Sequence, residues 1–250
     1  MLRGIYSAGT AMITQSKKMN VISNNIANAT TTGFKEDQMI SQSFKDVLIS
    51  RNDDSSIVNV NQEVGPYNNG IHIDSVLTSF LSGAVTETGK STDLAITGDG
   101  FFAVQTPQGE RYTRDGAFCI DSAGYLANQD GQRVLGQNGA IYVGTDKFTV
   151  KQDGEISVNN NTIDKLKIVN FANSANLRKE GNNLYTTANG ETAMASNATV
   201  KQGSLEASNI DMVKNVTSML EVYRNYESNQ KVIQILDGTL DKAVNDIGKI

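Results

Sequence analysis

Both ends of this 250-residue chain carry a helical pattern whose apolar face needs a partner. From Leu2 to about Thr32, residues Ile5, Ala8, Met12, Met19, Ile22, Ile26 and Ala29 recur three and four apart, with Gln15 the polar exception. Gly33 follows, and the spacing predicts it as the helix stop, because glycine accepts a left-handed cap. From about Asn209 to the end, the second seam is Met212, Val216, Met219, Tyr223, Tyr226, Gln230, Ile233, Leu240, Val244 and Ile247. Ser208 and Asp211 have the spacing of a capping box. Asp237 interrupts the seam, and Gly238 costs about 1 kcal/mol of helix propensity, which predicts a weak point there. Isolated helices are marginal in water. The two ends are therefore expected to pair as one discontinuous helical coiled-coil domain, residues 1–35 plus 208–250.

Residues 76–207 read differently. "DLAITGDGFFAVQT" looks like two strands joined around Asp99-Gly100, and "RDGAF", "DSAGY", "QDGQR", "GQNGA" and "QDGEI" repeat the turn theme. "KLKIVNF" and "NLYTT" look like further strands. Many short strands with glycine-containing turns predict an antiparallel β domain. The fold class is thus a mainly β middle domain with a coiled-coil domain built from the N- and C-terminal helices. Residues 36–75 are polar and irregular and are expected to be a linker or mobile loop with room for short strands.

Composition narrows the function. The net charge of −5 argues against nucleic-acid binding, which normally needs a basic face. One Cys and one His exclude a disulfide framework, a multi-cysteine zinc site and a histidine-rich metal site. No run is long and apolar enough to insert in a bilayer as a helix, and the punctuated N-terminus "GIYSAGTAMI" is not a convincing cleaved signal peptide.

Catalytic readings fare poorly. "GDGFF" lacks the third glycine and the following helix of a phosphate loop, so a hairpin turn is the better reading. Asp99, Asp115, Asp121, Asp130 and Asp153 miss the calcium-loop spacing and sit beside turn formers, where they are expected to cap turns. Cys119, in "AFCI", reads as a buried structural thiol, and a Cys119–His72 dyad needs a fold that nothing suggests. No enzyme, cofactor or metal is expected.

The first 34 residues contain no Asp or Glu and only Arg3, Lys17 and Lys18 as cations. The outer positions of the first helix are Ser7, Thr10, Thr14, Asn20, Asn24, Asn25 and Asn28. Small neutral polar groups can be covered by protein at modest cost, whereas charges cannot unless paired. The expectation is a helix packed on several sides, one seam against the C-terminal helix and the rest against other subunits. An intramolecular hairpin with a polar back is the alternative. Both ends are expected to be poorly ordered in the free monomer and to fold on assembly, leaving a resistant core of roughly residues 36–207.

"NNIANATTTGFK" (Asn24–Lys35) resembles the N-terminal signature of the bacterial flagellar rod and hook proteins. "TDLAITGDGFFAV", "YTRDGAF", "DSAGYLANQDGQRVLG", "GSLEASNID" and "MLEVYRNYESNQKVIQ" resemble further blocks of that family in the same order. The resemblance implies a structural subunit of the basal-body rod. Its terminal helices would line the channel of a helical tube that transmits torque, with the β domain outside. It implies copies of the same chain and other rod and hook axial proteins as partners. It also implies passage through the flagellar type III export apparatus without a cleaved signal, and a place in the basal body within the cell envelope. The assembly residues it carries over are Asn24, Asn25, Ile26, Ala27, Asn28, Thr32, Gly33, Phe34 and Lys35, then Ser208, Asn209, Asp211, Tyr226, Glu227, Asn229 and Lys231. The seam adds Ile5, Met12, Met19, Ile22, Met219 and Tyr223. Short length favours a rod protein over a hook protein, and the segment after "SFKDVL" looks more like a proximal rod member or a Gram-positive rod/hook-like protein. The alternatives are a hook-type or distal-rod axial subunit, or a secreted β-domain adhesin or enzyme with a helical stalk.

Overall fold

The computed structural model describes residues 2–51, 62–187, 192–196 and 198–247. It divides into two bodies, one made of Met1–Ile26, Asp37–Leu77 and Met212–Ile250, the other of Ala27–Glu36 and Thr78–Asp211. Each body takes its residues from separate stretches of the chain.

The first body pairs helix α1 (Leu2–Ala27) with helix α2 (Met212–Ile247), as the two seams require. Gly4 lies under Leu236, 3.4 Å from where a Cβ would sit. The stretch expected as a linker carries strands. Asp37–Ser43 pairs antiparallel with Ile71–Thr78, and Val47–Arg51 with Gln62–Tyr67; residues 52–61 lie outside the described residues. These strands help to cover α1. At Gly70 (φ +124°) an added Cβ would meet Thr10 Oγ1 at 2.1 Å, so a glycine backbone lies directly on the helix's neutral face. Arg3 stacks over the Tyr67 ring at 5.4 Å, and His72, on the strand that follows, stacks on Phe44.

Two boundaries differ from the sequence reading. Helix α1 ends at Ala27, so Gly33 does not cap it. Helix α2 starts at Met212 and runs unbroken through Gly238. Ser208 is no N-cap; its Oγ accepts from the Ile210 amide at 3.4 Å, and Asp211 takes the position before the helix.

In the second body the described strands form a nine-stranded antiparallel sheet and smaller two- and three-stranded ones. Strand Phe101–Thr106 is central, pairing with Gly109–Thr113, Arg133–Val134 and Ile168–Asn170. The core beneath it includes Leu94, Phe102, Val104, Leu126, Val134 and Ile156, each 2% exposed or less. Leu94–Thr97 and Phe101–Thr106 are both strands, but not a hairpin: Leu94–Thr97 pairs with Thr199–Gln202 in another sheet. The tight hairpins lie elsewhere. Asn159-Asn160 and Asn182-Asn183 all hold positive φ, the mirror-image turn that joins twisted strands and that asparagine tolerates. Cys119 is exposed on the short edge strand Cys119–Ile120, not buried as its apolar context suggested; the Phe118 ring beside it faces the core.

The candidate assembly site and its buried clasp

The stretch Asn24–Lys35 is divided between the two bodies. In the first, Asn25 is buried, its amide donating to the Asp37 carbonyl at 2.8 Å and accepting the Asp37 amide at 3.1 Å. This two-way bond fixes where the chain starts its first strand. Asn24 is exposed beside it, and Ile26 is half-buried.

The remainder folds into the second body. Gly33 holds φ +63°, and an added Cβ would fall 2.5 Å from the Arg114 carbonyl, so only glycine fits by both conformation and space. Its amide donates to the Glu206 carbonyl at 2.8 Å. Thr32 donates to Asp115 Oδ1 at 2.5 Å, and the Asn183 amide of one tight hairpin donates to the Thr32 carbonyl at 2.9 Å. Phe34 is buried under Lys179, whose Nζ stands 4.0 Å over the ring and donates to the Lys35 carbonyl at 2.6 Å. Ala27 is exposed and Asn28 half-buried; the Asn28 carbonyl accepts the Thr31 amide in the turn after the helix.

Lys35 is the centre of this arrangement. Its side chain is 1% exposed, and its Nζ donates to Glu206 Oε1 at 2.7 Å and to the Leu81 carbonyl at 2.8 Å. Glu206, also 1% exposed, accepts the Gly83 amide at 2.9 Å and pairs through Oε2 with Arg114 Nε at 3.1 Å. The Arg114 guanidinium donates to the Gly98 and Gly100 carbonyls at 2.7 and 2.6 Å. Burial lowers the pKa of Lys35 and of Arg114, and the Glu206 carboxylate opposes that shift in both. One buried anion therefore serves two buried cations drawn from distant parts of the chain. Beside them Asn209 accepts the Glu36 amide at 2.8 Å and donates to the Ser79 and Leu81 carbonyls, so the segments that enter and leave this body are bonded to each other.

The helical candidates fall into two groups. Ile22 is buried, and Ile5, Met12 and Met19 are half-buried. Among the described residues of α2, the covered positions Asn215, Met219, Val222, Tyr226, Asn229, Ile233, Leu236, Leu240 and Ala243 form an unbroken four-three repeat, with Ser218 half-buried beside it. Met212, Val216, Tyr223, Gln230 and Val244, placed in the seam by the sequence reading, are exposed. The helix has a second apolar stripe, and periodicity alone merged the two. That outer stripe is Val213, Val216, Leu220 and Tyr223, 77%, 43%, 57% and 51% exposed. Asp211, Glu227 and Lys231 are exposed, and Ser208 is half-buried.

Sequence reasoning missed Arg114 and Glu206. The family-like blocks contained both, but nothing local marks a charge that will be buried.

Three family models match the chain: Flagella basal body rod protein over residues 5–35, Flagellar hook protein FlgE/F/G D1 domain over 95–158, and Flagellar basal body rod FlgEFG protein C-terminal over 201–246. The chain is 34% identical to the flagellar hook-basal body complex protein FlhO of Bacillus subtilis (strain 168), with both chains covered in full. It is 36% identical to the flagellar basal-body rod protein FlgG of the same strain, over 98% of this chain and 99% of the relative. It is also 34% identical to the flagellar basal-body rod protein FlgF of Caulobacter vibrioides, over the whole of both.

Proposed function

Since the chain belongs to the flagellar basal-body rod and hook family and is a structural axial subunit, not an enzyme, we propose that it polymerises through its helical body into a tube. In this reading copies of the chain and other axial proteins stack as a helical rod in the basal body, transmit torque and enclose the export channel. The subunit arrives through the flagellar type III export apparatus. A contact between unlike patches that does not close on itself generates such a filament.

The observation that carries the reading is the outer stripe of α2. Val213, Val216, Leu220 and Tyr223 form an exposed apolar ridge on a helix whose other ridge already faces α1. Scattered apolar residues on a surface need no explanation, but a continuous ridge of four at coiled-coil spacing does. On the first helix Tyr6 and Ile13, 70% and 63% exposed, offer a second contact of the same kind. The carried-over residues of the signature divide accordingly. Asn24, Ala27, Glu227 and Lys231 are accessible for contacts between subunits, whereas Asn25, Gly33, Phe34 and Lys35 serve the chain's own fold.

The test is incorporation. The paired change Val213→Asp with Leu220→Asp should leave a folded, exportable monomer that fails to enter purified basal bodies. Normal incorporation of that variant would overturn the reading.

A further inference from the structure

We infer that Lys35, Arg114 and Glu206 form a clasp that makes completion of the second body wait for the segment Ser204–Asn209. Lys35 and Glu206 stand 171 positions apart in sequence, and Arg114 lies between them. Strand Phe101–Thr106 and its partner Gly109–Thr113 are local and can pair early. The clasp is the opposite case. Its contacts close a loop of most of the chain, and its charges lose water only when all three meet.

Before Ser204–Asn209 docks, the only carboxylate acting on Lys35 and Arg114 is that of the exposed Asp99, whose pull on each is weaker than that of Glu206. Burying either cation alone is costly, so the seam stays open and hydrated. When Glu206 arrives, one carboxylate serves both cations, the Gly33 amide bonds the Glu206 carbonyl, and the Ala207 amide bonds the Ala84 carbonyl at 2.8 Å. Four separate stretches, around residues 33–35, 81–84, 114 and 204–209, then lock together. A chain delivered from its N-terminus, as every chain is in synthesis, therefore keeps this body unfinished until nearly all of it has emerged. This holds whether or not the outer ridge of α2 mediates polymerisation.

The experiment is hydrogen-exchange pulse labelling during refolding of the full chain. A brief unfolding pulse keeps prolyl bonds in their native state. The amides of Ala103 and Leu135, bonded to the Lys167 and Ala103 carbonyls and to nothing in Ser204–Asn209, should become protected first. Those of Gly33, Gly83 and Ala207 should follow in a distinctly slower phase. In folded Glu206→Gln, the three seam amides should lose at least about tenfold of their protection while Ala103 and Leu135 keep theirs. Simultaneous protection of seam and core in the native sequence overturns the inference. So does a Glu206→Gln chain whose seam amides stay protected, or whose core and seam weaken equally. If Glu206→Gln does not fold, the native-sequence order and the milder Lys35→Met, which leaves the Arg114–Glu206 pair, decide the question.

Discussion

Lys35 Nζ and Glu206 Oε1 lie 2.7 Å apart with both side chains 1% exposed, although 171 positions separate them in sequence. Removing one partner of a buried pair leaves an uncompensated charge, at a cost of roughly 3–5 kcal/mol. Glu206→Gln strands two cations, whereas Lys35→Met leaves Glu206 paired with Arg114. Glu206→Gln should therefore be the more destabilising, as read from the denaturant midpoint of the full chain. Equal costs would show that Arg114 does not share the carboxylate.

Gly33→Ala should destabilise the second body by on the order of 3 kcal/mol. The new methyl meets both a left-handed backbone and the Arg114 carbonyl. Thermal unfolding of the variant measures it. A cost below 1 kcal/mol would mean that the segment is not held against Arg114.

Gly238→Ala should do the reverse. The position is helical, its φ is not in the left-handed range, and an added Cβ meets nothing within 4 Å. The expected gain is about 1 kcal/mol in the first body, with increased helicity by circular dichroism. A loss of stability would show that the glycine is needed for a bend.

Asp115 supplies a pH dependence. Burial is the main cause of a pKa raised above the ordinary 3.8, and bonds from Thr32 and the Ala117 amide offset part of it. A raised folded pKa means the native state holds its proton longer than the unfolded chain. The contribution is present in full below the unfolded pKa and is lost as pH rises through the folded value. Asp115→Asn keeps the side-chain oxygen that both donors use. It should flatten the stability profile just above pH 3.8 and equal or exceed the native sequence at pH 7. A profile of unchanged slope would remove Asp115 as its source.

Limited proteolysis bears on the ends. A resistant fragment of residues 36–207 would omit Lys35, Phe34 and Asn209, which hold the second body closed. The stable core released by proteolysis should instead begin near Ala27 and end near Asp211, the limits of that body. A stable fragment starting at residue 36, found by mass spectrometry, would show that the clasp is dispensable.

The sequence by itself determined that the ends are helices with apolar seams and that the middle is antiparallel β. Both follow from local periodicity and turn chemistry, which a short window reveals. It also marked Asn24–Lys35 as exceptional by the absence of acidic side chains. Local pattern could not separate the two stripes of α2, because Val216 and Tyr223 fit a heptad as well as Asn215 and Val222 do, and only packing against α1 selects between them. Nor could it tell that Gly33 is a close-packing glycine and not a helix cap, since the obstructing atoms belong to Arg114. The clasp was the least legible part. Lys35 stands out only through the family-like signature, Arg114 and Glu206 look like ordinary surface charges in sequence, and burial becomes tolerable only when the fold brings all three together. Tertiary structure decided those matters because each depends on atoms contributed from far along the chain.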